Sequence, residues 1–211
     1  MSLFGSLQNS FVAAFFRKLF RVRIINPENE PKDGEAYIAC INHSSNWDPI
    51  LIGACMHRPL RYMAKAELFR IPVLRSIVKL FGAYPVNRDK ADVSSVKTTI
   101  SILENGEVVG MYQPGRRAKG VHPKTVAPKN GAAMAAMRAK CGILPVTVIS
   151  KRYKVRAFHK TIVVFGEYIP FEKLEKMASE ELKTANYGKI MEIVYGEILE
   201  NHEKYDTLNK K

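Results

Sequence analysis

Short apolar runs alternate with longer amphipathic stretches along most of the 211 residues, and this alternation constrains the fold more than any other feature. Ala36–Ile41 reads as a buried strand, and a helix starts near Asp48-Pro49, because proline suits the first helical position. Leu60–Ala64 and Ala83–Val86 are short strand candidates on either side of a Pro72–Phe81 helix that Gly82 ends. Asp92 caps a helix running to Gly106, and a Val108–Tyr112 strand follows. Gly131–Lys140 is an Ala- and Met-rich helix ended by Gly142, while Ile143–Ile149 and Thr161–Phe165 are strands rich in β-branched residues. From Ser179 to about Glu203 a polar amphipathic helix carries Leu182, Ile190, Val194 and Ile198 on one side. Strands alternating with helices imply an α/β architecture in which a mixed, largely parallel sheet is flanked by helices. The sequence contains no internal repeat, low-complexity tract or domain linker. It divides into an N-terminal amphipathic segment, 1–25, and one domain, 26–211, that includes the C-terminal helix.

Charge narrows the partner. Thirty-three Lys and Arg against 20 Asp and Glu leave a net charge of +13, which points to an anionic partner. Nucleic acid, an anionic membrane, an acidic carrier protein and a phosphorylated substrate all fit that charge. No helix-turn-helix, zinc or aromatic RNA-binding signature supports nucleic acid. The cysteines Cys40, Cys55 and Cys141 are too scattered for a disulfide framework or a metal site, and a reducing compartment is the default. A membrane-spanning helix needs about 20 apolar residues. The longest stretch free of Lys, Arg, Asp and Glu ends at Phe16 and is interrupted by Gln8 and Asn9, so membrane contact is expected from one side only. Phe4, Leu7, Phe11 and Phe15 recur at helical spacing, and Arg17, Lys18, Arg21 and Arg23 follow. That composition fits a helix lying in a bilayer interface, and it equally fits a core helix.

The block Asn42-His43-Ser44-Ser45-Asn46-Trp47-Asp48 follows the first buried strand and opens a helix. In such sheets functional groups gather at the carboxyl ends of strands. A histidine acting as a general base needs a carboxylate to fix its tautomer, and a turn into a helix can fold His43 onto Asp48. Asp48 also reads as a helix N-cap. No serine nucleophile elbow or catalytic-cysteine signature is present, so such a base would act on a substrate hydroxyl.

Four blocks in order resemble the glycerolipid acyltransferases, most closely the 1-acyl-sn-glycerol-3-phosphate (lysophosphatidic acid) acyltransferases. Asn42–Asp48 is similar to the family's Asn-His-x4-Asp motif. Gly82-Ala83-Tyr84-Pro85-Val86-Asn87-Arg88 is similar to the second block, Tyr112–Arg117 lies at the place of the third, and Leu144-Pro145-Val146 is similar to the fourth. Met63–Phe69 is similar to a segment frequent in the lysophosphatidate branch. The resemblance spans roughly Arg23 to Phe171. It implies a glycerol-3-phosphate acyltransferase-like fold with a membrane-associating N-terminal helix. It also implies direct acyl transfer from acyl carrier protein or coenzyme A thioester to the hydroxyl of lysophosphatidic acid. In that scheme His43 is the base and Asp48 its orienter. Arg88 grips the acceptor phosphate with Arg116 and Arg117, Gly115 permits close backbone approach, and Lys65 adds positive potential. No metal and no cofactor beyond the thioester co-substrate are implied, and the place of work is the cytoplasmic face of an anionic membrane. The third block departs from the family: Gln113-Pro114-Gly115-Arg116-Arg117 stands where Pro-Glu-Gly-Thr-Arg is usual, and no carboxylate lies between Glu107 and Glu167. A different phosphate-bearing acceptor, a structural role met by Gln113 and lost activity each fit that departure.

Overall fold

The computed structural model describes residues 11–31, 34–80, 82–86, 93–179 and 186–209. In chain order its elements are α1 (Phe11–Leu19), β1 (Val22–Ile25), β2 (Tyr37–Asn42), α2 (Asp48–Cys55), β3 (Leu60–Lys65), α3 (Pro72–Leu80), β4 (Ala83–Val86) and α4 (Val93–Glu104). Then follow β5 (Val108–Gln113), α5 (Gly131–Ala139), β6 (Gly142–Ser150), β7 (Thr161–Phe165), α6 (Phe171–Ser179) and α7 (Tyr187–Tyr205). The strands form one sheet in the order β1-β7-β6-β2-β5-β3-β4. Every pairing is parallel except β6 with β7.

Strand β2 lies mid-sheet and is buried throughout. Its sequence is therefore apolar without alternation, as a strand covered on both faces requires. Tyr37, Ala39 and Ile41 pack with Phe20 and with Leu51 and Ile52 of α2. Ile38 and Cys40 pack on the opposite face with Ala132 and Ala136 of α5 and Val194 and Ile198 of α7. Each fully buried aliphatic side chain contributes about 1.5–3 kcal/mol. The small residues of α5 let its axis lie close to the sheet. Pro145, inside β6, lies between the Ile143–Ile169 bridge and the β7 ladder that begins at Val146. A missing N–H is tolerated at such an interruption.

Parallel strands joined by helical crossovers bring the loops after β2, β3, β5 and β6 to one edge of the sheet. The candidate site residues lie on these loops.

Two segments differ from the sequence expectation. Val22–Ile25, grouped with the N-terminal segment by their charge, form the edge strand β1 beside β7. Arg21, at φ +44°, turns the chain out of α1 into this strand. The C-terminal helix expected from Ser179 is α7, which begins at Tyr187, and a further helix that the sequence reading did not name, α6, ends where that expectation began. Asn186 starts α7 by accepting the Lys189 N–H at 3.1 Å, a side-chain cap that satisfies an orphan donor. Leu182, Phe4 and Leu7 lie outside the described residues, as does Asp92. Among the described residues no helix is long and apolar enough to cross a membrane.

The end of α7 carries a buried titratable cluster. His202 is 1% exposed, its Nδ1 lacks a hydrogen-bond partner, and Asp206 lies 3.8 Å away. The ring of His122 sits 4.8 Å from that of His202. Burial pulls His202 below the ordinary imidazole range; Asp206 opposes the shift and His122 adds to it. The unfolded chain therefore takes up this proton first, near pH 6.5, and stability present above that pH is lost on acidification. The urea midpoint is expected to fall from pH 7.5 to pH 5.5. His202→Gln is expected to flatten that fall by up to about 1.4 kcal/mol per pH unit.

Candidate active site

The site begins where β2 runs out. The β2–β6 ladder ends at Ile41 opposite Val146. Beyond it the side chain of Asn42 stands in for backbone: Nδ2 donates to the Val148 carbonyl at 2.9 Å, and Oδ1 accepts the Val148 N–H at 2.7 Å. The next residue, His43, is held by its own main chain. Its N–H donates to the Gln113 carbonyl at 3.1 Å, and its carbonyl accepts the Ala118 N–H at 2.9 Å.

Asp48 is the first residue of α2 and has no exposed surface. Its Oδ2 accepts the N–H of Ser44 at 2.6 Å and of Ser45 at 2.8 Å, and it meets His43 Nδ1 at 2.8 Å. The carboxylate thus binds the turn upstream of it and not the first-turn amides of its own helix, which corrects the N-cap reading. An ionised carboxylate only accepts, so Nδ1 carries the proton and donates. The lone pair of Nε2 is left to act as a base, the arrangement in which a carboxylate fixes the tautomer of a catalytic imidazole. The opposite side of the ring is braced by Tyr112, whose ring lies 4.6 Å from that of His43 and stacks on Tyr62 at 5.9 Å. Burial holds the Tyr112 phenol well above its ordinary range, so it is a neutral wall.

Strand β5 supplies the other side. The Gln113 carbonyl anchors His43, while its side-chain Oε1 accepts the Lys129 N–H at 2.9 Å, tying the strand to the start of α5. A cis peptide bond links Gln113 to the buried Pro114. Gly115 has φ +85°, a region costly for residues with a Cβ. Arg116 and Arg117 are exposed on the next turn, and the Arg117 guanidinium donates to the side-chain oxygen of Asn46. His43, Asp48, Gly115, Arg116 and Arg117 are therefore brought to one end of the sheet. Lys65 ends β3 at the same edge, exposed and paired with Glu67 at 3.2 Å. Arg88 lies outside the described residues.

Two recesses flank Gln113. One is a cleft beside His43, bordered by Asn42, Pro114, Tyr195 and His202, whose 10 Å³ admits one water at most. The other is a groove of about 210 Å³ lined by Met63, Val86, Met111, Tyr112, Gly115 and Lys129. No carboxylate lines either recess. Burial pushes the thiols of Cys40, Cys55 and Cys141 up to about 12, so none is a thiolate nucleophile near neutrality. Among the described residues no His, Cys, Asp and Glu cluster is arranged to hold a metal ion.

Asn42, Tyr112 and Asn46 carry structural work that the sequence reading did not assign to them, and Gln113 carries the structural role named for it as one alternative. A polar residue ending an otherwise apolar strand was the available signal for Asn42. Asn42→Ala would leave the Val148 N–H and C=O unpaired in a buried setting. A loss of about 2–4 kcal/mol is expected in urea unfolding at pH 7.5.

Comparison with known proteins places this geometry. The chain is 37% identical over 125 residues to a 1-acyl-sn-glycerol-3-phosphate acyltransferase of Bacillus subtilis, covering 59% of this chain and 60% of that protein. It is 29% identical over 163 residues to the protein of the same name from Streptococcus pneumoniae, covering 75% of this chain and 60% of that protein. The chain thus matches about three-fifths of the length of these relatives. The crystal structure of the 1-acyl-sn-glycerophosphate acyltransferase PlsC from Thermotoga maritima superposes with a TM-score of 0.71 at 21% identity. That match covers 98% of this chain and 87% of the other, and establishes the fold. The family profile described as Acyltransferase matches residues 21–149, which contain every described member of the site. With that match over more than half its length, the chain belongs to the Acyltransferase family.

Proposed function

We propose that the protein transfers a fatty acyl group from an acyl carrier protein or coenzyme A thioester to the hydroxyl of 1-acyl-sn-glycerol-3-phosphate, giving phosphatidic acid. The observation that carries this reading is the His43–Asp48 pair: 2.8 Å apart, with the carboxylate buried. In this scheme Nε2 of His43 removes the acceptor hydroxyl proton as the oxygen attacks the thioester carbonyl. Asp48 stabilises the imidazolium that forms. Collapse of the tetrahedral intermediate breaks the carbon–sulfur bond, and the imidazolium returns its proton to the leaving thiolate. Ester and free thiol are the products, and His43 is ready for another turn.

Arg116 and Arg117 are placed to meet the acceptor phosphate, for which guanidinium forks are well shaped. Arg88 is assigned there by family resemblance. The groove beside Gly115 is the recess proposed for an alkyl chain, because Met63, Val86 and Met111 line it. The names of the Bacillus and Streptococcus relatives support the acceptor. A peripheral position on an anionic membrane agrees with the charge of +13 and with the exposed Phe11 and Phe15 of α1. A second reading keeps the reaction and changes the acceptor to another phosphate-bearing glycerolipid. It is favoured by Pro114 and Arg116, which replace a carboxylate and a threonine with a neutral ring and a cation.

The test is turnover of detergent-dispersed lysophosphatidate with each thioester donor. His43→Ala is expected to lose about 10³-fold or more in kcat, and full activity in that variant would remove the base from the scheme. Asp48→Asn is expected to lose up to about 10⁴-fold through the wrong tautomer. Arg117→Ala is expected to raise KM for phosphate-bearing acceptors and leave KM for the thioester unchanged.

A further inference from the structure

The corner between β3 and α3 takes no part in the site described above. Ile71, Val73 and Leu74 stand there 50%, 70% and 36% exposed. Single exposed aliphatic side chains are ordinary on protein surfaces. Three within four residues, around Pro72, are a patch and call for a partner. Arg70, Arg75 and Lys79 are exposed beside them. From Leu60 to Val86 the sequence holds five Lys and Arg against the single carboxylate Glu67, which pairs with Lys65.

Topology fixes where this patch points. Lys65 is the carboxyl end of β3, and the 3₁₀ turn Ala66–Arg70 leads directly into α3. The corner therefore lies on the edge of the sheet that carries His43. Only β5 separates β3 from β2, so the two strand ends are about 10 Å apart. On the far side of His43, Trp47 after β2 and Phe158 after β6 are also exposed, at 43% and 75%. Apolar tips with cations beside them thus flank the site on both sides. Aliphatic tips next to basic side chains match the acyl boundary and headgroup layer of an anionic bilayer.

We infer that the β3–α3 corner is a second bilayer contact, separate from α1, that sets Ile71, Val73 and Leu74 into an anionic phospholipid surface. This rests on the reading of the protein as an acyltransferase with a lipid acceptor. The partner is the bilayer, because the aliphatic tips protrude from the surface with cations beside them, an arrangement that matches an acyl layer beneath anionic headgroups.

The test is flotation of the full chain with phosphatidylglycerol–phosphatidylcholine vesicles and with pure phosphatidylcholine vesicles. Ile71→Ser/Val73→Ser and Arg70→Gln/Arg75→Gln are made separately, so the second pair reads the contact if the first folds poorly. Each is expected to weaken binding to the anionic vesicles at least about fivefold, with turnover of detergent-dispersed lysophosphatidate unchanged. Unchanged vesicle binding by both variants overturns the contact. Retained vesicle binding with lost turnover only on a carrier-protein thioester also overturns it and reassigns the corner to the carrier. A fall in mass from dimer to monomer, with vesicle binding retained, reassigns it to a second copy. Absence of turnover in the wild type would remove the acyl-transfer reading and leave the vesicle measurement to decide the contact by itself.

Discussion

The buried carboxylate of Asp48 is the interaction on which the edge of the sheet that carries His43 depends. A carboxylate with no exposed surface is costly unless donors surround it. Here one oxygen gathers the amides of Ser44 and Ser45 and the Nδ1 of His43. Charge-assisted hydrogen bonds of this kind contribute about 1.5–3 kcal/mol each. The same three bonds that make burial tolerable also shape the turn, direct the imidazole and start α2. Folding and chemistry at this point are therefore one set of contacts. A substitution that frees the histidine also releases the turn that carries it.

Around that centre the neighbouring strands act as a frame. Asn42 extends the β2–β6 pairing by two side-chain hydrogen bonds after the backbone register has ended. Gln113 holds His43 by its carbonyl and the approach to α5 by its side chain. The family's usual Glu in the third block is absent, and Pro114 fills a buried position beside the cleft. The described part of the site thus centres on one carboxylate–imidazole pair with a set of cations around it, and His202 borders the cleft.

Much of this was legible in the order of residues. The apolar run of β2 and the Pro at the start of α2 each have one dominant physical meaning, whereas the His43–Asp48 spacing gained its meaning from the blocks around it. The sheet and its flanking helices followed from alternation. Helix α6 was not read, and the start of α7 was harder to place, because it is marked by the single Asn186 cap inside a polar stretch. Strand β1 was hidden by Arg23, which reads with Arg17, Lys18 and Arg21 as one basic cluster and drew Val22–Ile25 into the N-terminal segment, although an edge strand tolerates it well. The roles of Asn42, Tyr112 and Asn46 depend on partners far away in the chain, at Val148, Tyr62 and Arg117. No local pattern encodes such pairs. The groove beside Gly115 is likewise a product of β4, β5 and α5 meeting.

The three thiols, described above only as poor nucleophiles, have a wider consequence. In the proposed reaction a thioester would lie close to the core, where an accessible cysteine would be open to acyl exchange. Cys40 lies on β2, the strand that leads into His43, Cys55 ends α2 on the opposite face of the sheet, and Cys141 lies at the foot of β6. Their near-complete burial keeps each protonated and out of reach. In the proposed reaction these three thiols would not compete for the acyl group, because packing keeps them from it.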